Sequence, residues 1–170
     1  MTYSPEIQSG KTDWETPQYF FNYLNSFYHF NLDVCADERN HKMIPYFSIN
    51  DDALKQNWTG TCFMNPPYGY GIYWWIKKAF DEGQKGNKIV CLLPSRTDNS
   101  WFHEFVMKAS EIIFIRGRIH FTNSKQSPQF GSIIVIFEKT LNKFPNISNL
   151  DLNDLPITQS NTPPTKDICH

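Results

Sequence analysis

No apolar run in this 170-residue sequence approaches the roughly 18 residues that a membrane span needs. The polar start MTYSPEIQSGKTDW lacks the basic and apolar regions of a signal peptide, so a cytoplasmic protein is expected. Four cysteines (Cys35, Cys62, Cys91 and Cys169) stand far apart with no CxxC pairing. That spacing argues against a zinc site and against a disulfide framework, and leaves reduced thiols as the expectation. There is no excess of positive charge either: the net charge is −1, too little to hold nucleic acid by bulk electrostatics. The length is that of about one domain, so a separate substrate domain is not expected, and no internal repeat is visible.

What is present is enough to build a core. Hydrophobic residues make up 40% and aromatic residues 16% of the chain, too many for a disordered polymer. The charges are unevenly placed. Residues 1–70 hold 4 Lys and Arg against 8 Asp and Glu, whereas residues 71–139 hold 10 against 6. An acidic front half and a basic back half suit a site for a cationic or hydroxyl-bearing cofactor beside a surface for phosphates.

Thr16 and Pro17 read as a helix start, with the hydroxyl as N-cap and proline in the first turn, followed by apolar residues at helical spacing in YFFNYLNSFY. A buried strand follows over residues 32–35. A second short apolar strand, Cys62-Phe63-Met64, runs into Asn65-Pro66-Pro67-Tyr68, where two prolines must end it. Residues 72–85 read as a helix with Trp75, Ile76, Ala79 and Phe80 facing inward, closed by Gly83 or Gly86. Residues 88–93 form a continuous apolar strand of the kind buried on both faces. A helix over residues 101–109, capped by Asp98, Asn99 or Ser100, precedes a strand at 111–115, a short extended segment at 118–121 and a closing strand at 131–137. Strands alternating with helices, then a run of strands, fit a three-layer α/β sandwich whose sheet is mostly parallel with an antiparallel end. Residues 1–139 are expected to form the catalytic domain, and the Asn-, Pro- and Thr-rich residues 140–170 a weakly ordered tail.

The sharpest chemical signal is Asn65-Pro66-Pro67-Tyr68 at the end of a strand, where ligands bind in α/β sheets. The Asn65 amide oxygen and the Pro66 carbonyl can both accept hydrogen bonds from one exocyclic NH2, and the prolines hold the acceptors rigid. The amino group of an adenine is a poor nucleophile because its lone pair is delocalised into the ring. Two acceptors aimed at its hydrogens favour a more tetrahedral nitrogen and free that lone pair for in-line attack on an activated methyl. A carboxamide takes up no proton as a carboxylate does, so Asn65 orients and polarises. Tyr68 offers a ring face to a base.

These residues resemble the catalytic motif of amino-methyltransferases that use S-adenosylmethionine. The wider pattern is similar to the phage-type Dam DNA N6-adenine methyltransferases over about residues 12–138: WETP at 14–17, LDVCAD at 32–37, NDDAL at 50–54, FMNPPYG at 63–69, CLLPSRTDNSWFH at 91–103, GRIHF at 117–121 and GSIIVIF at 131–137. The resemblance implies a Rossmann-like methyltransferase fold, S-adenosylmethionine as cofactor, and DNA as partner, with an adenine flipped out of the duplex so that its amine can be reached. It implies no metal, since the sulfonium already supplies the activated leaving group. A phage- or prophage-encoded member would act in the host cytoplasm.

By the same resemblance Thr16 and Pro17 lie against the methionine end of the cofactor, and Asp33 meets its ammonium or sulfonium. Asp52, or its neighbour Asp51, matches the acidic residue at the adenosine part, with Asp37 and Glu38 as alternatives for the ribose hydroxyls. The loop after residues 32–35 departs from the wider methyltransferase pattern in carrying Ala36 rather than a glycine-rich signature. Arg96 is a candidate for a phosphate or base, and Trp101, Phe102 and His103 belong either to the target side or to the core. Arg116, Arg118, His120 and Lys125 form the densest basic group, beside a Ser-, Asn- and Gln-rich loop at 122–130 that suits phosphate and base-edge contacts or is a solvated hairpin loop. The leading expectation is methyl transfer to adenine N6. Transfer to cytosine N4 or to a protein glutamine, and an inert DNA-binding module of the same fold, are the alternatives.

Overall fold

The computed structural model describes residues 13–124 and 128–155. Six strands form one sheet: β1 (Leu32–Asp33), β2 (Thr61–Met64), β3 (Lys88–Pro94), β4 (Glu111–Arg116), β5 (Ser132–Phe137) and β6 (Asn146–Asp151), in the spatial order β1-β2-β3-β5-β4-β6. The pairs β1/β2, β2/β3 and β4/β6 are parallel, and β5 runs antiparallel to both β3 and β4. Five strands therefore point one way. The antiparallel strand sits inside the sheet, between β3 and β4.

Alternation along the strands divides the core into two layers. Ile89, Cys91 and Leu93 of β3 register with Phe137, Val135 and Ile133 of β5 on one face, which packs under α2 (Ile72–Gln84) and α3 (Ser100–Glu104). Val90 and Leu92, opposite Ile136 and Ile134, face the other way and pack with Phe20, Phe21 and Leu24 of α1 (Gln18–Tyr28). Helices cover both faces, giving the three-layer α/β arrangement that the Rossmann-like reading implies.

Several expected boundaries move. Thr16 is not the N-cap of α1. Pro17 takes that position, and its carbonyl accepts from the N–H groups of Phe20 and Phe21, which frees the Thr16 hydroxyl for another partner. The expected long helix at 101–109 divides into α3 and a 3₁₀ turn at Val106–Lys108. Residues 140–155 are not a tail: β6 extends the sheet beside β4, and Leu155 is buried. The sequence NISNLD hides this strand because an edge strand is held by backbone hydrogen bonds and its residues 146–149 stay exposed, so no apolar alternation marks it. The boundary expected at residue 139 thus falls inside the sheet, while residues 156–170 lie outside the described residues.

Helix α2 meets the sheet closely. Gly86, at φ +100, ends its last turn, whereas Gly83 lies within the helix against β5. At its end Glu82 is buried and ion-paired with Lys78 at 2.6 Å and Lys85 at 2.9 Å. Burial pushes its carboxyl upward, but the two ammonium groups outweigh that and hold it below the usual range. A Cβ at residue 83 would stand 2.9 Å from the Phe137 carbonyl carbon. Helix propensity favours Ala over Gly by about 1 kcal/mol, but overpacking against backbone costs about 1–3 kcal/mol. Gly83→Ala should therefore lower the melting temperature by several degrees in calorimetry; an unchanged or raised value would show that the helix can move away from β5.

Candidate active site

Strands β1 and β2 end side by side, so Asp33 and Asn65 emerge at the same edge of the sheet. Between them opens a cleft of about 320 Å³, in the size range of small-molecule sites. Its walls come from four further segments: residues 13–16, residues 35–42 after β1, residues 47–49, and Trp75 from α2. The 47–49 wall is fixed because Phe47 N–H donates to the Asp33 carbonyl while Asp33 N–H donates to Pro45, a single parallel bridge beside β1.

The cleft is acidic. Asp13, Glu15, Asp33 and Asp37 line it, and Lys42 alone among its described lining residues carries positive charge, 3.4 Å from Glu15. All four carboxylates come from the acidic front of the chain. Asp33 is 2% exposed and has no ion pair within 4.0 Å among the described residues; its oxygens accept instead from the backbone N–H groups of Lys42 (3.0 Å) and Cys35 (3.4 Å). Burial pushes its carboxyl above the ordinary range, against the pull of those N–H groups and of the Lys42 and His41 charges. A cation seated nearby would supply the counter-charge that it lacks.

The carboxamide of Asn65 is oriented by its nitrogen. Nδ2 donates to the Trp14 carbonyl at 2.5 Å and to the Thr16 hydroxyl oxygen at 2.9 Å. A backbone carbonyl only accepts, so the amide has one possible orientation. The other end, Oδ1, is buried and has no hydrogen-bond partner among the described residues. An unpaired buried acceptor costs about 1–3 kcal/mol, which a donor brought by a ligand would recover.

Of the other expected site residues, Thr16 and Pro67 line the cleft with Asn65 and Asp33; Pro17, Pro66 and Tyr68 do not. Tyr68 is anchored. Its hydroxyl donates to the Leu92 carbonyl at 3.1 Å, its ring packs edgewise on Phe121 and Phe130, and burial pushes its phenol well up. Asp52 lies outside the cleft lining and pairs with Lys55 at 2.6 Å, while Asp51 closes a capping box with Ser48. Asp37, the alternative for ribose hydroxyls, does line the cleft; Glu38 does not. Trp101 and Phe102 belong to the core, and His103 is exposed.

Arg96 follows β3, and Arg116 and Arg118 end and follow β4. Because β3 and β4 run in the same direction, all three leave from the sheet edge that carries Asn65. All three are exposed; Arg116 pairs with Asp151 of β6 at 3.2 Å. Lys125 lies outside the described residues. Lys42, Trp75 and the Trp14 carbonyl were not foreseen. The first two carry no motif, and a backbone carbonyl has no signature in a sequence.

Cysteine chemistry is disfavoured here. Burial pushes the thiols of Cys35 and Cys91 well up and that of Cys62 to about 12, so none is a thiolate at neutral pH. No cluster of metal-binding side chains occurs among the described residues.

A mostly parallel sheet covered on both faces, with an acidic cleft and an Asn-Pro-Pro-Tyr turn at its strand ends, defines an α/β methyltransferase acting on an amine. The family model described as DNA N-6-adenine-methyltransferase (Dam) matches residues 4–159, and the chain belongs to that family. It is similar to the DNA N-6-adenine-methyltransferase of Haemophilus phage HP1 (strain HP1c1), 32% identical over 148 residues, covering 81% of this chain and 85% of that protein. It is also similar to the protein of the same name from Escherichia phage T1, 33% identical over 105 residues, 60% of this chain and 44% of that one.

The raised Asp33 carboxyl sets a pH dependence. A carboxyl whose folded pKa exceeds its unfolded value adds stability below the unfolded pKa and gives it up as pH rises through the folded value. With nothing bound, the melting temperature of the native chain should thus fall relative to Asp33→Asn as pH rises from the ordinary carboxylate range toward neutrality. Parallel curves for the two proteins would show that Asp33 titrates normally.

Proposed function

We propose that this chain transfers a methyl group from S-adenosylmethionine to the N6 amine of an adenine flipped out of DNA. The observation that carries the reading is the Asn65 Oδ1: a buried acceptor without a partner among the described residues, in a carboxamide whose nitrogen is already committed to Trp14 and Thr16. A neutral NH2 is the matching donor. The donor set of the cleft also fits the cofactor, since Asp33, Asp13, Glu15 and Asp37 favour a cation and Asp37 can accept from hydroxyls. Bound there, S-adenosylmethionine supplies a methyl on a sulfonium sulfur.

The chain's own residues do the rest. Asn65 would accept from the amine, turn its lone pair toward the methyl and, being a carboxamide, take no proton; the nitrogen–methyl bond would form as the sulfur–methyl bond breaks, leaving a neutral thioether, and the nitrogen would then give its proton to water. Thr16 and the Trp14 carbonyl keep the amide from rotating, so the acceptor is in place before the amine arrives. Water is kept from Oδ1, so arrival of the amine requires a local shift of the groups around it. Tyr68 braces the turn through Leu92 and the phenylalanines, and its ring face toward the base is part of the proposal. Arg96, Arg118 and, outside the described residues, Lys125 would hold the DNA backbone; Arg116 would do so by leaving Asp151. The catalytic domain would run through β6, and the reading places the protein in the cytoplasm, where DNA and cofactor meet. None of the described helices is long and apolar enough to cross a membrane.

The test is to incubate purified protein with methyl-labelled cofactor and DNA, then digest to nucleosides. Label is expected in N6-methyladenine. Label only in cytosine, or only in protein, would reject the assignment. Asn65→Ala should lower kcat by about 10²–10³-fold, the scale for losing one transition-state acceptor or donor, while DNA binding stays largely intact. Wild-type turnover from that variant would remove Asn65 from the mechanism.

A further inference from the structure

The 13–16 segment that orients Asn65 is itself held from outside the cleft. Two residues of the connection between β4 and β5 clasp it. Thr122 N–H donates to the Glu15 carbonyl at 3.1 Å, Glu15 N–H donates to Asn123 Oδ1 at 3.0 Å, and Asn123 Nδ2 donates to the Asp13 carbonyl at 3.0 Å. The two Asn123 bonds thus fall on the successive peptide groups that flank Trp14.

The second of those groups is shared. It consists of the Trp14 carbonyl and the Glu15 N–H, joined in one plane. Its N–H is bound by Asn123, and its oxygen accepts from Asn65 Nδ2. A peptide group is rigid about its C–N bond, so fixing the N–H end fixes where the carbonyl end points. A bond at the N–H also polarises the carbonyl and strengthens the bond that it accepts.

We propose that Asn123 is a positioning residue for Asn65, acting through the single peptide group between Trp14 and Glu15. The inference deepens the reading above and rests on it for the identity of the reaction. The Trp14 ring is gripped separately, by Phe121 at 5.4 Å and Phe130 at 5.3 Å. Those ring contacts act on the side chain, whereas the Asn123 bonds act on the peptide groups themselves. If the peptide tilts, the Nδ2 bond loosens, the carboxamide rotates, and Oδ1 leaves the place where the amine must find it. The connection that carries Asn123 also carries Arg118, so the segment proposed to meet DNA and the group that activates the amine are tied by three consecutive hydrogen-bonded units.

The experiment uses the full chain, ¹⁵N-labelled, with Asn123→Ala and Asn123→Asp. In Asn123→Ala the side-chain NH2 signals of Asn65 should shift and exchange with solvent about tenfold faster, and kcat on DNA should fall about tenfold with KM for DNA within twofold. Asn123→Asp keeps an acceptor for the Glu15 N–H and should recover most of the lost kcat. Three results would overturn the relay: a raised KM for DNA with unchanged kcat, which marks a plain DNA contact; a broad loss of signals with a lowered melting temperature, which marks a folding role; or no recovery in Asn123→Asp. Unmoved Asn65 signals would sink the relay even if the wild type methylates adenine. Signals that respond in a wild type transferring no methyl to DNA would leave the relay standing and remove the reading on which the reaction rests.

Discussion

The bond from Asn65 Nδ2 to the Trp14 carbonyl is the interaction on which the site depends, because it decides which end of a nearly symmetric carboxamide is left over. With nitrogen committed to an oxygen that only accepts, the free end must be an acceptor, and it is buried. In the proposed reaction the donor is the amine. A neutral acceptor suits a neutral amine that must keep its lone pair; a carboxylate there would bind a cation better and compete for the amine's proton. The two prolines that follow hold the backbone of the turn, and Tyr68 ties the turn to β3.

Around that amide the sheet sorts charge. The strands pointing the same way bring their carboxyl ends to one edge, and the chain places acidic residues on the cleft side and arginines beyond it. Carboxylates at 13, 15, 33 and 37 favour a positively charged ligand, while Arg96, Arg116 and Arg118 leave from the far strands of the same edge. On the proposed reading a near-neutral chain would thus hold a sulfonium cofactor and a polyanion at once; salt would screen the exposed arginines more than the buried Asp33. Asp33 is held by backbone N–H groups and, among the described residues, has no ion pair.

Buried titratable groups outside this arrangement serve the fold. Glu82 sits at the end of α2 between two lysines and Asn87, which also bonds to Gly60 and Trp58 and so joins the helix end to the loop entering β2. The buried cysteines stay protonated. In the cleft, by contrast, stand the buried Asn65 Oδ1, which lacks a hydrogen-bond partner among the described residues, and the buried Asp33 carboxyl.

Much of this was legible in the residues themselves. Apolar runs at 88–93 and 131–137 form strands buried along nearly their whole length, which require cover on both faces, and an Asn-Pro-Pro-Tyr turn after a strand points to a site at a strand end; local patterning determined both because burial and proline geometry act at short range. Other features were decided only by tertiary structure. The polar β6 strand is held by pairing that leaves no apolar period, the Thr16 hydroxyl left the helix cap for Asn65, and Asp52 stayed outside the cleft while Asp37 lined it. The orientation of the Asn65 amide depends on a carbonyl 51 positions away in the chain. A backbone carbonyl is the same in every residue, so which one meets a given side chain is written in the folded path and not in the letters.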